Sequence, residues 1–338
     1  MKKFKLACFA LISSFTAATA EDTLTIYSQR HYPADQKLFT DFTEQTGVKI
    51  NVVKGSADEL IERLKSEGEA SPADLLLTKD AARIHWATEE GLLQGVESEA
   101  LKNQVPAYLR DPKGRWVGVT QRARVIVYSK ERVKKDEISS YADLAKPDWK
   151  GRVLARSSSN IYNQSLLASL ISNVGKKDAL LWAVQVRKNM ARPPQGSDRD
   201  QIRAVAAGLG DVAIVNTYYL GLLAKSDNPV DQEVASKVAI CFPEQGENGR
   251  GTHMNISAAG VTKYSKNKEH AVKFLEFITG KGAQAFYPHE TYEYPLSLDL
   301  TTPMHKSWGS FKPDSLHLSE LGKYNADAIK LFQTAQWE

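Results

Sequence analysis

The chain has 338 residues, 42% of them hydrophobic and 25% charged. That globular balance excludes a disordered, collagen-like or multi-span membrane protein, and the length suits one large two-lobed domain or two ordinary ones. The formal charge is +4, and two cysteines are too few for a disulfide framework or a cysteine-based zinc or iron–sulfur site.

Residues 1–20 read as a leader. Lys2, Lys3 and Lys5 precede an apolar run near Leu6–Phe15, and Ala18-Thr19-Ala20 stands before Glu21, the pattern of a cleaved secretory signal too short to span a bilayer. Its removal takes three of the 44 basic side chains and no acid, leaving 41 against 40. So near-neutral a surface gives no reason to expect nucleic acid or an anionic membrane as partner. Cys8 leaves with the leader, and Cys241, the remaining thiol, reads as a small packing residue. No twin-arginine pair precedes the apolar run, so export of an unfolded chain is expected.

After the leader, strands and helices alternate. Leu24–Tyr27 reads as a buried strand, and Ala34–Thr46 as a helix closed by Gly47. Val48–Val53 is a second strand, and Ser56–Ser66 a helix in which Ser56 and Glu59 make a capping-box pair. Asp74–Thr78 and Ala81–Gly91 repeat the alternation, which implies a parallel sheet covered on both faces. Val117–Ser129 is long for one strand and suits a crossing between lobes. Gly151–Ala155 is a short strand, Asn163–Asn173 and Lys176–Met190 are helices, and Asp211–Asn216 is a strand. Lys237–Phe242 and His253–Val261 suit a return crossing, and from Lys266 onward the chain reads as largely helical. Two α/β sheets joined by two crossings imply a cleft, with ligand residues at the carboxyl ends of strands.

Enzyme templates are missing. There is no G-x-S-x-G elbow, no phosphate-binding G-x-x-x-x-G-K-[ST] and no dinucleotide G-x-G-x-x-G behind a strand. His289-Glu290 opens an H-E-x-x-H zinc motif, but Glu293 stands where the second histidine belongs, and Pro288 and Pro295 argue against a helix there. Gly246, Gly249 and Gly251 read as a turn. His85 and Glu89 share a helix face and read as a solvated pair. The remaining chemistry is in tyrosines just beyond three strands, in Ser28-Gln29-Arg30-His31-Tyr32, Arg156-Ser157-Ser158-Ser159-Asn160-Ile161-Tyr162 and Thr217-Tyr218-Tyr219. A tyrosine at a strand end ordinarily packs, with its hydroxyl wet. Several at one rim, with a histidine, suit a hard trivalent cation that displaces phenolic protons, with imidazole as a compatible further ligand. Four phenolates on Fe(III) leave one negative charge, which Arg30, Arg122, Arg124 or Arg199 could offset; of Arg122 and Arg124, one is expected to face the cleft.

At these residues the sequence resembles the periplasmic ferric-ion-binding proteins of bacterial iron ABC transporters, in the branch with His and four Tyr. The resemblance runs through Tyr27–Tyr32, Ser71–Thr78, Gln121–Tyr128, Arg156–Ser165, Asn216–Tyr219 and Gly249–His253. It implies an α/β, two-lobed type II periplasmic-binding-protein fold, each lobe a mixed, mostly parallel sheet flanked by helices. One lobe would hold 21–120 and 250–292 and the other 121–249 and 293–338. It further implies His31, Tyr32, Tyr162, Tyr218 and Tyr219 as metal ligands, with His31 the variable one. The cargo would be Fe3+, with Fe2+ the other possible state. The protein would be a periplasmic monomer that hands its ion to an inner-membrane ABC permease with its ATPase, and not an enzyme. The alternative is the same fold around a polyamine, thiamine or a phosphonate.

Overall fold

The computed structural model describes residues 22–30 and 32–337; the leader and His31 lie outside the described residues. The first α/β unit runs β1 (Thr23–Ser28), α1 (Pro33–Thr46), β2 (Lys49–Lys54), α2 (Ala57–Glu67), β3 (Leu75–Thr78) and α3 (Ala81–Glu89). Its helix ends follow from local chemistry. Gly47 takes φ 75°, a left-handed conformation that costs glycine little, and its N–H returns to the Thr43 carbonyl at 2.8 Å. The Ser56–Glu59 capping box forms as expected, satisfying two otherwise orphaned amides at the start of α2. β1 pairs in parallel with β2 and β3, which places the carboxyl ends of these strands at one rim.

After α4 (Glu99–Gln104) comes β4 (Val117–Ser129), all thirteen residues of it buried. A second unit follows: β5 (Val153–Leu154), α5 (Ile161–Asn189), α6 (Asp198–Ala206), β6 (Val212–Asn216), α7 (Thr217–Ala224), α8 (Pro229–Lys237) and β7 (Val238–Cys241). The chain returns through β8 (Met254–Val261) and ends in α9 (Lys268–Thr279), α10 (Lys281–Glu290), α11 (Pro303–Trp308), α12 (Ser319–Lys323) and α13 (Asn325–Thr334). β4 does serve both lobes. Residues 117–123 pair antiparallel with β8, and residues 124–129 pair antiparallel with β6 and β7. The result is one mixed, curled sheet in the order β2-β1-β3-β8-β4-β6-β5, with β7 on the far half of β4. Among the described residues no helix is long and apolar enough to cross a membrane.

Three apolar cores flank this sheet. One gathers Leu24, Phe42, Leu76, Ile256 and Phe274 around the β1–β3 half. The other two cover opposite faces of the β4–β6 half, with Ile126, Trp182 and Ile214 on one side and Val125, Ile202 and Val215 on the other. Adjacent β4 residues thus enter different cores, as alternation along a strand requires. Cys241 is buried beside Ile126, its thiol 3.3 Å from the Ile138 carbonyl, and burial raises its pKa to about 11, the state of an inert packing residue.

The two helices expected on either side of Gly175 meet there at a kink, where Gly175 takes the non-helical φ 83°, ψ 162°. Two local expectations need correction. Pro288 lies inside the last turn of α10, so His289 and Glu290 are helical after all. Arg122 and Arg124 both face the tyrosines, because residues two apart on a strand share a face.

Candidate metal centre

Four of the five singled-out residues converge, and each sits at the start of a helix. Tyr32 is the N-cap of α1, with its backbone N–H on the Asp35 carboxylate at 3.1 Å. Tyr162 is in the first turn of α5, its N–H held by the Asn160 side chain at 3.0 Å. Tyr218 and Tyr219 occupy the first turn of α7, immediately after β6, with ring centroids 4.2 Å apart. The strand-to-helix corner lets these neighbours lie side by side, which a continuing strand would forbid. The Tyr218 hydroxyl donates to that of Tyr162 at 3.3 Å, across 56 residues of sequence.

The electrostatics tie Tyr32 to the same cluster. Burial raises the pKa of Tyr32, and the neighbouring Glu293 and Tyr162 raise it further. Burial likewise holds Tyr218 well above the ordinary phenol value, with Tyr162, Tyr32 and Tyr219 adding to it. Tyr219 is raised by burial, then by Tyr162 and Asp198. These hydroxyls therefore keep their protons at neutral pH. Two features favour their phenolate forms: the positive ends of α1, α5 and α7 point at the cluster, and cations surround it. Arg30 lies 4.7 Å from the Tyr32 ring centroid, Arg122 and Arg124 lie 5.8 and 6.0 Å from that of Tyr162, and Arg199 lies 6.0 Å from that of Tyr219.

Sequence reasoning missed the groups that hold these arginines. Glu293, noticed only as the flaw in a zinc motif, is fully buried; it takes Arg30 Nη1 at 2.5 Å and lies 3.2 Å from Arg122 Nη2. Thr120 Oγ1 adds a hydrogen bond to Glu293 at 3.0 Å. Asp198 does the same work in the second lobe, taking Arg124 at 2.5 Å and Arg156 at 3.3 Å. The Ser197–Asp200 capping box that starts α6, and so places Asp198, was readable as a signal. Lys79 was missed as well; it is largely buried, and desolvation, then Arg122 and Arg30, lower its pKa. Cations outnumber carboxylates here, which suits a site that gathers anionic oxygens. Among the described residues no group of three His, Cys, Asp or Glu side chains could hold a metal, so tyrosine oxygens are the donors on offer.

A two-lobed α/β molecule with a strand shared between lobes and a polar cluster where they meet is built as a solute-binding protein. The chain belongs to the bacterial extracellular solute-binding protein family, whose model matches residues 26–285. It is 49% identical over 321 residues to iron uptake protein A1 of Synechocystis sp., an alignment covering 94% of this chain and 88% of that protein. It is also similar to the Trichodesmium protein IdiA (FutA), solved in complex with iron and citrate, at 50% identity and a TM-score of 0.89, covering 94% of this chain and all of that one. The Fe(3+)-binding periplasmic protein of Serratia marcescens is 28% identical over 93% of this chain and 88% of its own length. The type II periplasmic-binding-protein fold expected above is the fold of these neighbours.

Proposed function

We propose that the protein is a periplasmic ferric-ion carrier that closes on Fe(III) and delivers it to an inner-membrane ABC permease. The observation that carries this reading is the contact between the Tyr162 and Tyr218 hydroxyls, with Tyr219 and Tyr32 electrostatically joined to them. In this reading Tyr32, Tyr162, Tyr218 and Tyr219 each lose a proton to the bound ion. His31 completes the set, on the strength of the family resemblance. The names of the relatives support iron as cargo.

The core around Leu24 and Phe42 is taken as one lobe, supplying Tyr32, and the two cores flanking residues 124–129 as the other, supplying the remaining tyrosines. Only closure assembles the full ligand set, so the ion binds the closed state better and shifts the population toward it. Closed molecules would be the ones a permease recognises, with its ATPase supplying the energy. The carrier would be an exported monomer, with residues 1–20 as its leader, and without catalysis of its own. A polyamine, thiamine or phosphonate site would favour free carboxylates, arginine forks or stacking walls and would not need paired tyrosines at a strand end; the carboxylates here, Glu293 and Asp198, are already engaged by arginines.

Loading the purified protein with ferric citrate tests this. The loaded protein should turn red-orange from phenolate-to-iron charge transfer; protein that stays colourless would remove the proposal.

A further inference from the structure

Tyr162 belongs to the second lobe, yet the first turns of its helix are held by the first. Asp80, the N-cap of α3, accepts the Ser165 hydroxyl at 2.5 Å and the Asn255 amide at 2.7 Å on the same carboxylate oxygen. Arg83, one turn further along α3, donates to Gln164 Oε1 at 3.2 Å. The Gln164 amide nitrogen in turn donates to the Ser158 carbonyl at 3.0 Å, in the loop that leads into Tyr162. Asp80, Ser165 and Gln164 are all at least nine-tenths buried, so water competes little for these bonds. Ser165 lies three residues after Tyr162, on the same face of α5. On the other side Arg124 holds Asn163 at 2.6 Å.

We propose that Asp80 and Arg83 are positioning residues for Tyr162: α3 grips Ser165 and Gln164 and so fixes, from the opposite lobe, where the Tyr162 oxygen meets the ion. This rests on the reading of Tyr162 as a ligand. Asp80, Arg83, Ser165 and Gln164 are not among the proposed ligands, so in this proposal the clasp acts on iron through that tyrosine.

A double-mutant cycle tests it. Ser165→Ala and, separately, Gln164→Ala are made in the wild-type chain and in Tyr162→Phe, and loss of the ferric absorbance to a competing chelator is timed. One lost buried hydrogen bond corresponds to about three- to tenfold faster release in the wild-type chain. In the Tyr162→Phe background the same substitutions should change the rate by less than about twofold. Equal acceleration in both backgrounds, or none in either, would overturn the clasp, since a merely structural effect would not depend on Tyr162. Release from Tyr162→Phe no faster than from wild type would instead overturn the ligand assignment. Thermal melting of the iron-free variants shows that each is folded, and the Gln164 variant keeps the test decisive if Ser165→Ala is not.

Discussion

Glu293 Oε2 lies 2.5 Å from Arg30 Nη1, with both side chains sealed from solvent and 263 residues of sequence between them. The same carboxylate faces Arg122, so one buried anion serves two buried cations. Removing it leaves Arg122 without a carboxylate partner and Arg30 with Asp35 alone, at 2.8 Å, in a low dielectric, the costly way to break a buried ion cluster. Glu293→Ala should lower the unfolding free energy of the iron-free protein by about 3–5 kcal/mol, read from urea melts. An unchanged midpoint would mean that other groups already balance the arginines.

Tyr218→Phe and Tyr219→Phe each remove one oxygen donor and leave the ring in place. Each should weaken iron retention beyond the roughly 10–100-fold that loss of an outer-shell partner costs. Tyr128→Phe is the control: Tyr128 lies on the far half of β4, in the core that contains Cys241, and its loss should leave iron affinity unchanged. Competition against a ferric chelator measures all three.

Acid should release the ion. Burial holds Tyr32, Tyr218 and Tyr219 above the ordinary phenol pKa, so as the proposed ligands each would have to give up a proton to bind iron, and affinity should fall as pH falls. Retention that does not change between neutral and mildly acidic buffer, by absorbance, would rule out phenolate donors.

Two histidines outside the cluster make a separate pH prediction for the iron-free protein. Burial, with Arg250 and Arg124 nearby, lowers the pKa of His253 to about 3; burial lowers that of His305 to about 4. Both are neutral when folded and take up protons near pH 6.5 when unfolded. Their contribution is therefore complete above about pH 6.5 and is lost as pH falls toward 3–4. Urea midpoints should drop from pH 7 to pH 5, and His253→Asn should flatten that drop if the variant folds.

Strands and ligand candidates were legible in the sequence because their signals are local. LTIY, GRVLA and DVAIVN are short, largely apolar runs, and the residues that follow them include the tyrosines. The long β4 was legible for the same reason. What supports the tyrosines was not. Glu293 meets Arg30 and Arg122 only through tertiary folding, so spacing carries no trace of it. Asp80 meets Ser165 across 85 residues, and Arg83 meets Gln164 across 81. The pairing of Arg122 with Arg124 was legible from strand periodicity, and misjudging it came from treating alternation as if it separated residues two apart.

The most direct test is a crystal structure of the protein loaded with ferric iron. One ion bonded to the oxygens of Tyr32, Tyr162, Tyr218 and Tyr219 is the predicted result. An ion bound elsewhere, or hydroxyls still protonated and paired with one another around no metal, would contradict it.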